Sequence, residues 1–384
     1  MKPTRISAHI AAAALLCSCA GRPAQPVAES LKEAYSDAFK IGVAVTPGNI
    51  NGWQPESEAL ILRHFNAVSP ENCLKPERVH PTPDTWDFAE ADQYVEYAET
   101  NGLWKLGHTL CWHNQTPDFY WYRPDGTPKS REELIETLRE HIEMVAGRYG
   151  DAVNAWDVVN EIIGEQGEYR VKGWVKAFDG DGYEVVRNAF IFADRYAPHS
   201  ELYYNDFNVW RKEHVDGIVT MVKRLQSENI RIDGVGIQAH WGLNYPSTQD
   251  IETTIDRLYD LGVKVMITEL DIDMLPFSKE GQMTGQAMQD PALQREEFMR
   301  YLNPYADGCP ADVEQQIADR YEEILRTIYR KRDKIARVTF WGLHDGVSWK
   351  NDYPIAHRTN YPLLFDRQLQ KKPAFYRVVN IPQQ

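Results

Sequence analysis

The sequence predicts a single domain of the α/β class, a (β/α)8 TIM barrel, and three observations predict it. Strand-like and helix-like segments alternate eight times along the chain, as a barrel of parallel strands and outer helices requires. Nearly every strand-like run ends in polar residues. An open, doubly wound sheet gathers such ends at one crevice, whereas a closed barrel brings the ends of most strands to one mouth. The length of 384 residues suits one large barrel.

The barrel does not begin at the first residue. Lys2 and Arg5 precede the apolar run IAAAALLC (10–17), the pattern of a secretory signal peptide over residues 1–18, too short for a stable membrane anchor. The run LCSC (16–19) is similar to a bacterial lipobox, with cleavage before Cys19 and lipid on its thiol. Residues 19–36, rich in Pro and Ala, read as a tether, and 37–384 as the barrel. The strands then follow as KIGVAV (40–45), AVSPENC (67–73), LWKLGHTLCW (103–112), AVNAWDVVNE (152–161), ELYYNDF (201–207), GVGIQAH (234–240), VMITELD (265–271) and VTFWGLHD (338–345). Each is rich in β-branched or aromatic residues. Between them lie segments of 3.6-residue periodicity. The clearest spans 131–150, with Ser130 as cap, Glu133 three residues on and Gly150 as stop. Segments 214–230, 250–262 and 313–335 have the same form. Residues 274–311, between the seventh strand and its helix, form a long insertion. It is open to three roles: a lid over the groove, a docking surface, or neutral decoration.

Composition narrows the chemistry. The formal charge of −14 argues against nucleic acid and anionic membrane surfaces, and suits a neutral substrate. The chain carries 11 Trp and 20 Tyr, flat faces of the kind that stack on sugar rings or fill cores. There is no CxxC, HExxH, Walker loop, GxGxxG or GxSxG. Neither a metal nor an organic cofactor is expected. Outside the signal and Cys19 the cysteines are Cys73, Cys111 and Cys309, an odd number and no disulfide framework.

Two glutamates stand at matched places. Glu161 ends the fourth strand and Glu269 the seventh, so a closed barrel sets them across one mouth. A carboxylate pair without metal ligands suits glycosidic hydrolysis, one group protonating the leaving oxygen and the other attacking the anomeric carbon. Glu269 and Asp271 are two apart and project to one side of a strand, and Gln238 and His240 repeat that spacing on the strand before. This places His240 between Glu269 and Asp271, holding the attacking group.

With these motifs the sequence resembles glycoside hydrolase family 10, the retaining endo-β-1,4-xylanases, over roughly residues 40–380. WDVVNE (156–161) and ITELD (267–271) carry the resemblance most specifically. It implies that Glu161 is the acid/base, Glu269 the nucleophile, and Asn160 a donor to the 2-hydroxyl of the bound sugar. SPENCLK (69–75) is similar to the motif that sets Glu71, Asn72 and Lys75 around the next sugar. GHTLCWHNQ (107–115) implies roles for His108, Trp112 and Gln115, and FWGLHDGVSW (340–349) for Trp341 and Trp349 as the roof. Gln238 and His240 look like the pair beside the nucleophile, and Tyr204 and Asn205 like leaving-group contacts. Cys73 and Cys111 depart from the pattern; they are either buried free thiols or a pair linking neighbouring strands.

The expected activity is retaining hydrolysis of internal β-1,4 bonds, with xylan and xylo-oligosaccharides as partners, by a monomer that meets a membrane only through its lipid anchor. A glucanase on the same barrel and a non-catalytic xylan-binding lipoprotein are the rivals. The latter would be expected to lack Glu161 or Glu269, and both are present. No acidic cluster follows Cys19, which favours the periplasmic face of a bacterial membrane over the cell surface.

Overall fold

A computed structural model describes residues 29–383. The signal segment, Cys19 and most of the expected tether lie outside the described residues. The strands are β1 (Lys40–Val45), β2 (Ala67–Pro70), β3 (Trp104–Cys111), β4 (Ala155–Asn160), β5 (Glu201–Asp206), β6 (Gly234–Ile237), β7 (His240–Gly242), β8 (Lys264–Asp273) and β9 (Ile335–Phe340). All pair in parallel, in the order β6-β5-β4-β3-β2-β1-β9-β8, and a β6–β8 pairing closes the ring. This is an eight-stave (β/α)8 barrel; β7 is a short continuation of β6 that pairs with β8 above the ring.

The helix expected at 131–150 forms over Arg131–Tyr149. Ser130 Oγ accepts from the Glu133 backbone N–H at 3.3 Å and the Glu133 carboxylate accepts from the Ser130 N–H at 2.6 Å, the reciprocal cap its sequence specifies. The other expected helices run over Lys212–Ser227, Thr248–Tyr259 and Ala311–Arg330. Among the described residues, no helix is long and apolar enough to cross a membrane.

Three boundaries differ from the sequence expectation. The fold begins before residue 37. Ser30 caps a short helix, Leu31–Ala34, and Leu31 and Tyr35 are buried, with the Tyr35 hydroxyl donating to the Val378 carbonyl at 2.9 Å. Two apolar side chains among the Ser, Glu and Ala of 29–38 were too sparse a pattern to distinguish from linker. The second strand stops at Pro70, so Glu71, Asn72 and Cys73 occupy a turn. The sixth stave breaks at Gln238 and Ala239, where Ala239 takes a φ of 63°.

The insertion is folded, with helices Ser278–Thr284 and Glu296–Leu302 joined through a 3₁₀ turn at Pro291–Gln294. Cys73 and Cys111 are buried free thiols, which settles that alternative. Burial pushes the Cys73 thiol up to about 12, far from the reactive thiolate form.

Candidate active site

The C-terminal ends of the staves meet at a cavity of about 420 Å³. Barrel geometry delivers the two glutamates there by different routes. Glu269 is on β8, within a strand buried along nearly its whole length. Glu161 stands one residue beyond β4, and its φ of 58° turns the chain sharply out of the strand. That left-handed conformation is costly for a residue with a Cβ and is held here by a Glu161 N–H bond to the Asn205 carbonyl at 2.9 Å.

Glu269 is 4% exposed. One of its oxygens accepts from Asn205 Nδ2 at 2.6 Å, and the other faces His240 Nε2 at 3.1 Å. His240 Nδ1 lies 2.9 Å from Asp271 Oδ2, which also accepts from the Trp349 indole N–H at 2.8 Å. Both ring nitrogens of His240 therefore face carboxylates, which only accept when ionised. A ring protonated on both nitrogens satisfies both. Burial disfavours that charge, but Asp271 and then Glu269 outweigh it and hold the His240 pKa above its ordinary value. Burial likewise works against ionised Glu269, yet the bond from His240, the nearby His108 and the Asn205 amide bring it below the usual carboxylate range.

Glu161 is biased the other way. Burial raises its pKa most, the buried carboxylate of Asp206 adds to this, and Glu269 contributes in the same direction. Hydrogen bonds oppose the rise without cancelling it: Gln238 Nε2 donates at 2.9 Å and Trp112 Nε1 at 2.8 Å. Asn160 Nδ2 lies 3.1 Å from the same oxygen that Gln238 reaches. Two carboxyls on one cavity thus have opposite proton affinities, the condition for dividing acid and nucleophile roles between them.

At the far end of the cavity Lys75 Nζ donates to Asn72 Oδ1 at 2.9 Å and to Gln115 Oε1 at 2.7 Å. Gln115 in turn donates to Glu77 at 2.8 Å. Glu71 borders the same space, with its pKa raised by burial. His108 Nδ1 sits 2.8 Å from Asp157, and Trp341 packs its edge on the His108 ring at a centroid distance of 5.3 Å. Trp341 and Trp349 both line the cavity.

The structure relocates two of the expected contacts, Tyr204 and Asn205. Tyr204 does not reach the cavity: it is wholly buried, its hydroxyl donating to Asp206 and accepting from the Ile163 N–H at 3.1 Å. Asn205 is also fully buried and serves Glu269 and Asn160 rather than facing the leaving group. The register explains both. Tyr204 points out of the barrel toward the helices, and Asn205 points inward below the rim. Gln238 stands beside Glu269, its carbonyl accepting from the Glu269 N–H at 2.9 Å, while its side chain donates to Glu161.

Sequence reasoning missed Asp157, a charged group inside an otherwise apolar strand, and gave no role to Asp206 at the polar end of β5. It also missed Phe207, Tyr353 and Gln282, which line the cavity from loops without a recognisable motif. Among the described residues no group of His, Cys, Asp and Glu has the arrangement of a metal site.

Comparison with known proteins agrees with this geometry. A sequence model described as glycosyl hydrolase family 10 matches residues 30–381. Endo-1,4-beta-xylanase A of Xylanibacter ruminicola is 37% identical over 353 residues, covering 92% of this chain and 93% of that protein. The thermostable celloxylanase of Thermoclostridium stercorarium is 34% identical over 366 residues, covering 91% and 87%. Among solved structures, a GH10 endoxylanase retrieved from sugarcane soil metagenome superposes with a TM-score of 0.83 at 38% identity, covering 92% of this chain and 99% of that one.

Proposed function

The chain belongs to glycosyl hydrolase family 10, and from that premise we infer that it cleaves internal β-1,4 bonds of xylan and xylo-oligosaccharides by double displacement. It is an endo-1,4-β-xylanase. The observation that carries the mechanism is the pair of carboxyls on one cavity, Glu269 held by His240 and Asn205 and Glu161 by Gln238 and Trp112. Their surroundings bias Glu269 toward the ionised form and Glu161 toward the protonated one.

In the first step a Glu269 oxygen attacks the anomeric carbon as the bond to the leaving oxygen breaks. Glu161 transfers its proton to that oxygen, and a glycosyl ester on Glu269 results. In the second step Glu161, now a carboxylate, takes a proton from water. The hydroxide equivalent attacks the anomeric carbon, Glu269 departs, and the β configuration is retained. Asn160 donates to the 2-hydroxyl of the sugar, and His240, backed by Asp271, fixes the attacking carboxylate. Glu71, Asn72, Lys75 and Gln115 hold the next sugar on the non-leaving side, while His108, Trp112, Trp341 and Trp349 enclose the reacting one. Side-by-side release of reducing sugar from xylan and from β-1,4-glucan tests the assignment: turnover of xylan well above glucan supports it. Equal turnover favours the broader specificity that the name of the celloxylanase relative suggests.

The enzyme is exported and held by lipid on Cys19, as a monomer, at the periplasmic face of a bacterial membrane. The support is the charged and apolar pattern of residues 1–19. Replacing Cys19 by Ala and following the protein between membrane and soluble fractions tests the anchor. Release from the membrane supports it, and unchanged fractionation contradicts it.

A further inference from the structure

The insertion after β8 has a defined place at the mouth. Its first helix, Ser278–Thr284, sets Gln282 on the cavity wall, and Gly285 follows it there. The helix is fixed against two other loops. A Cβ on Gly285 would lie 2.7 Å from the Phe207 ring, and one on Gly281 would lie 2.3 Å from Pro354. Tyr353 donates its hydroxyl to the Gly281 carbonyl at 2.8 Å, and Asn208 Nδ2 donates to the Gln282 carbonyl at 3.1 Å. The segment thus bridges the loops that follow β5 and β9.

This wall stands away from the residues assigned above to the sugar on the non-leaving side. Glu71, Asn72, Lys75 and Gln115 come from the loops after β2 and β3, whereas the insertion follows β8, across the ring from β3, and Phe207 follows β5, three staves from β2. Phe207 and Gln282 line the cavity on that side.

The Gln282 side chain is oriented by a buried cation. Lys350 is wholly buried, and its Nζ lies 3.4 Å from Gln282 Oε1 and 4.0 Å from Asp273. It also sits 4.3 Å from the centroid of Trp349 and 5.3 Å from that of Tyr353, two rings that stack on each other. An ammonium group only donates, so it selects the oxygen of the Gln282 amide and leaves the NH₂ outside that contact, on a residue that lines the cavity.

We propose that Gln282 is a specificity-determining residue for the leaving-group sugar: its amide, locked in one orientation by Lys350, donates a hydrogen bond to a hydroxyl of the departing xylose. The insertion is then part of the substrate groove rather than decoration. The proposal rests on the reading of the chain as a xylanase and deepens it.

Two substrates separate the two ideas. Xylotetraose places a sugar on the leaving side, and nitrophenyl xylobioside places only nitrophenol there. Failure of the unaltered enzyme to cleave either one overturns the xylanase reading itself. Given cleavage, Gln282→Glu keeps an oxygen for Lys350 and removes the N–H donor, and Gln282→Met removes it without adding charge. The kcat/KM of both variants on xylotetraose is expected to fall about three- to tenfold more than on nitrophenyl xylobioside, the range of one neutral hydrogen bond. Lys350→Met frees the amide and shifts the ratio in the same direction. Parallel losses on the two substrates, or an unchanged ratio in the two Gln282 variants with melting temperatures near that of the unaltered protein, overturn the proposal.

Discussion

Glu161 and Glu269 differ only in their surroundings, and those surroundings predict the pH profile. Catalysis needs Glu269 ionised and Glu161 protonated. The lowered pKa of Glu269 sets the acid limb of kcat/KM, and the raised pKa of Glu161 sets the alkaline limb. His240→Ala removes the bond that helps hold Glu269 ionised. Turnover of an aryl xylobioside is expected to fall about 10–100-fold, by analogy with other supporting partners of reacting groups. The acid limb should also move to higher pH, which a purely structural histidine would not cause. Tyr204 gives a second prediction at this scale. Because its hydroxyl serves Asp206 and the Ile163 N–H inside the protein, Tyr204→Phe should cost about 1–3 kcal/mol of stability, the range for stranding buried polar groups, and leave KM for xylan unchanged. Denaturant melts and xylan kinetics on one preparation check both halves; a raised KM with full stability would restore the sugar-contact reading.

The elements hold these residues by local rules that can be tested away from the chemistry. Ser130→Ala removes the cap of the helix Arg131–Tyr149 and should cost about 1 kcal/mol, read from a denaturation midpoint, with kcat unaltered. That helix was legible in the sequence because cap, periodicity and stop agree over a long segment. The staves were legible for a similar reason: runs such as VMITELD, covered on both faces, leave no ambiguity about burial. Their ends were less so. Glu161 turns out of β4, and the chain breaks at Ala239, through backbone conformations that no side-chain pattern announces. The carboxylates and the His240 link between Glu269 and Asp271 followed from spacing alone. The direction in which Tyr204 and Asn205 point did not, because a one-residue change in register reverses the face a side chain takes. Gln282 was illegible for a different reason: it reaches the cavity from a loop helix whose place is set by packing on Phe207 and Pro354.

At the scale of the whole molecule, the closed ring explains why groups from distant parts of the chain act together and how the enzyme discriminates between sugars. Xylose is glucose without the hydroxymethyl group at C5, so a preference for it must come from excluding bulk. Trp341 and Trp349 line the cavity beyond the last stave and are the proposed source of that bulk. Trp349 also donates to Asp271, so Trp349→Ala should lower activity generally. It should lower aryl cellobioside hydrolysis less than aryl xylobioside hydrolysis, by about 1–3 kcal/mol in relative barrier; equal losses would mean that Trp349 supports without selecting. The central claim is that the two glutamates act in succession on one anomeric centre, and the anomeric configuration of the first product tests it most directly. Proton NMR of xylotetraose cleavage, followed from the first turnovers, should show the new reducing end as the β anomer before mutarotation. Initial appearance of the α anomer would contradict the double displacement and the roles of Glu161 and Glu269 with it.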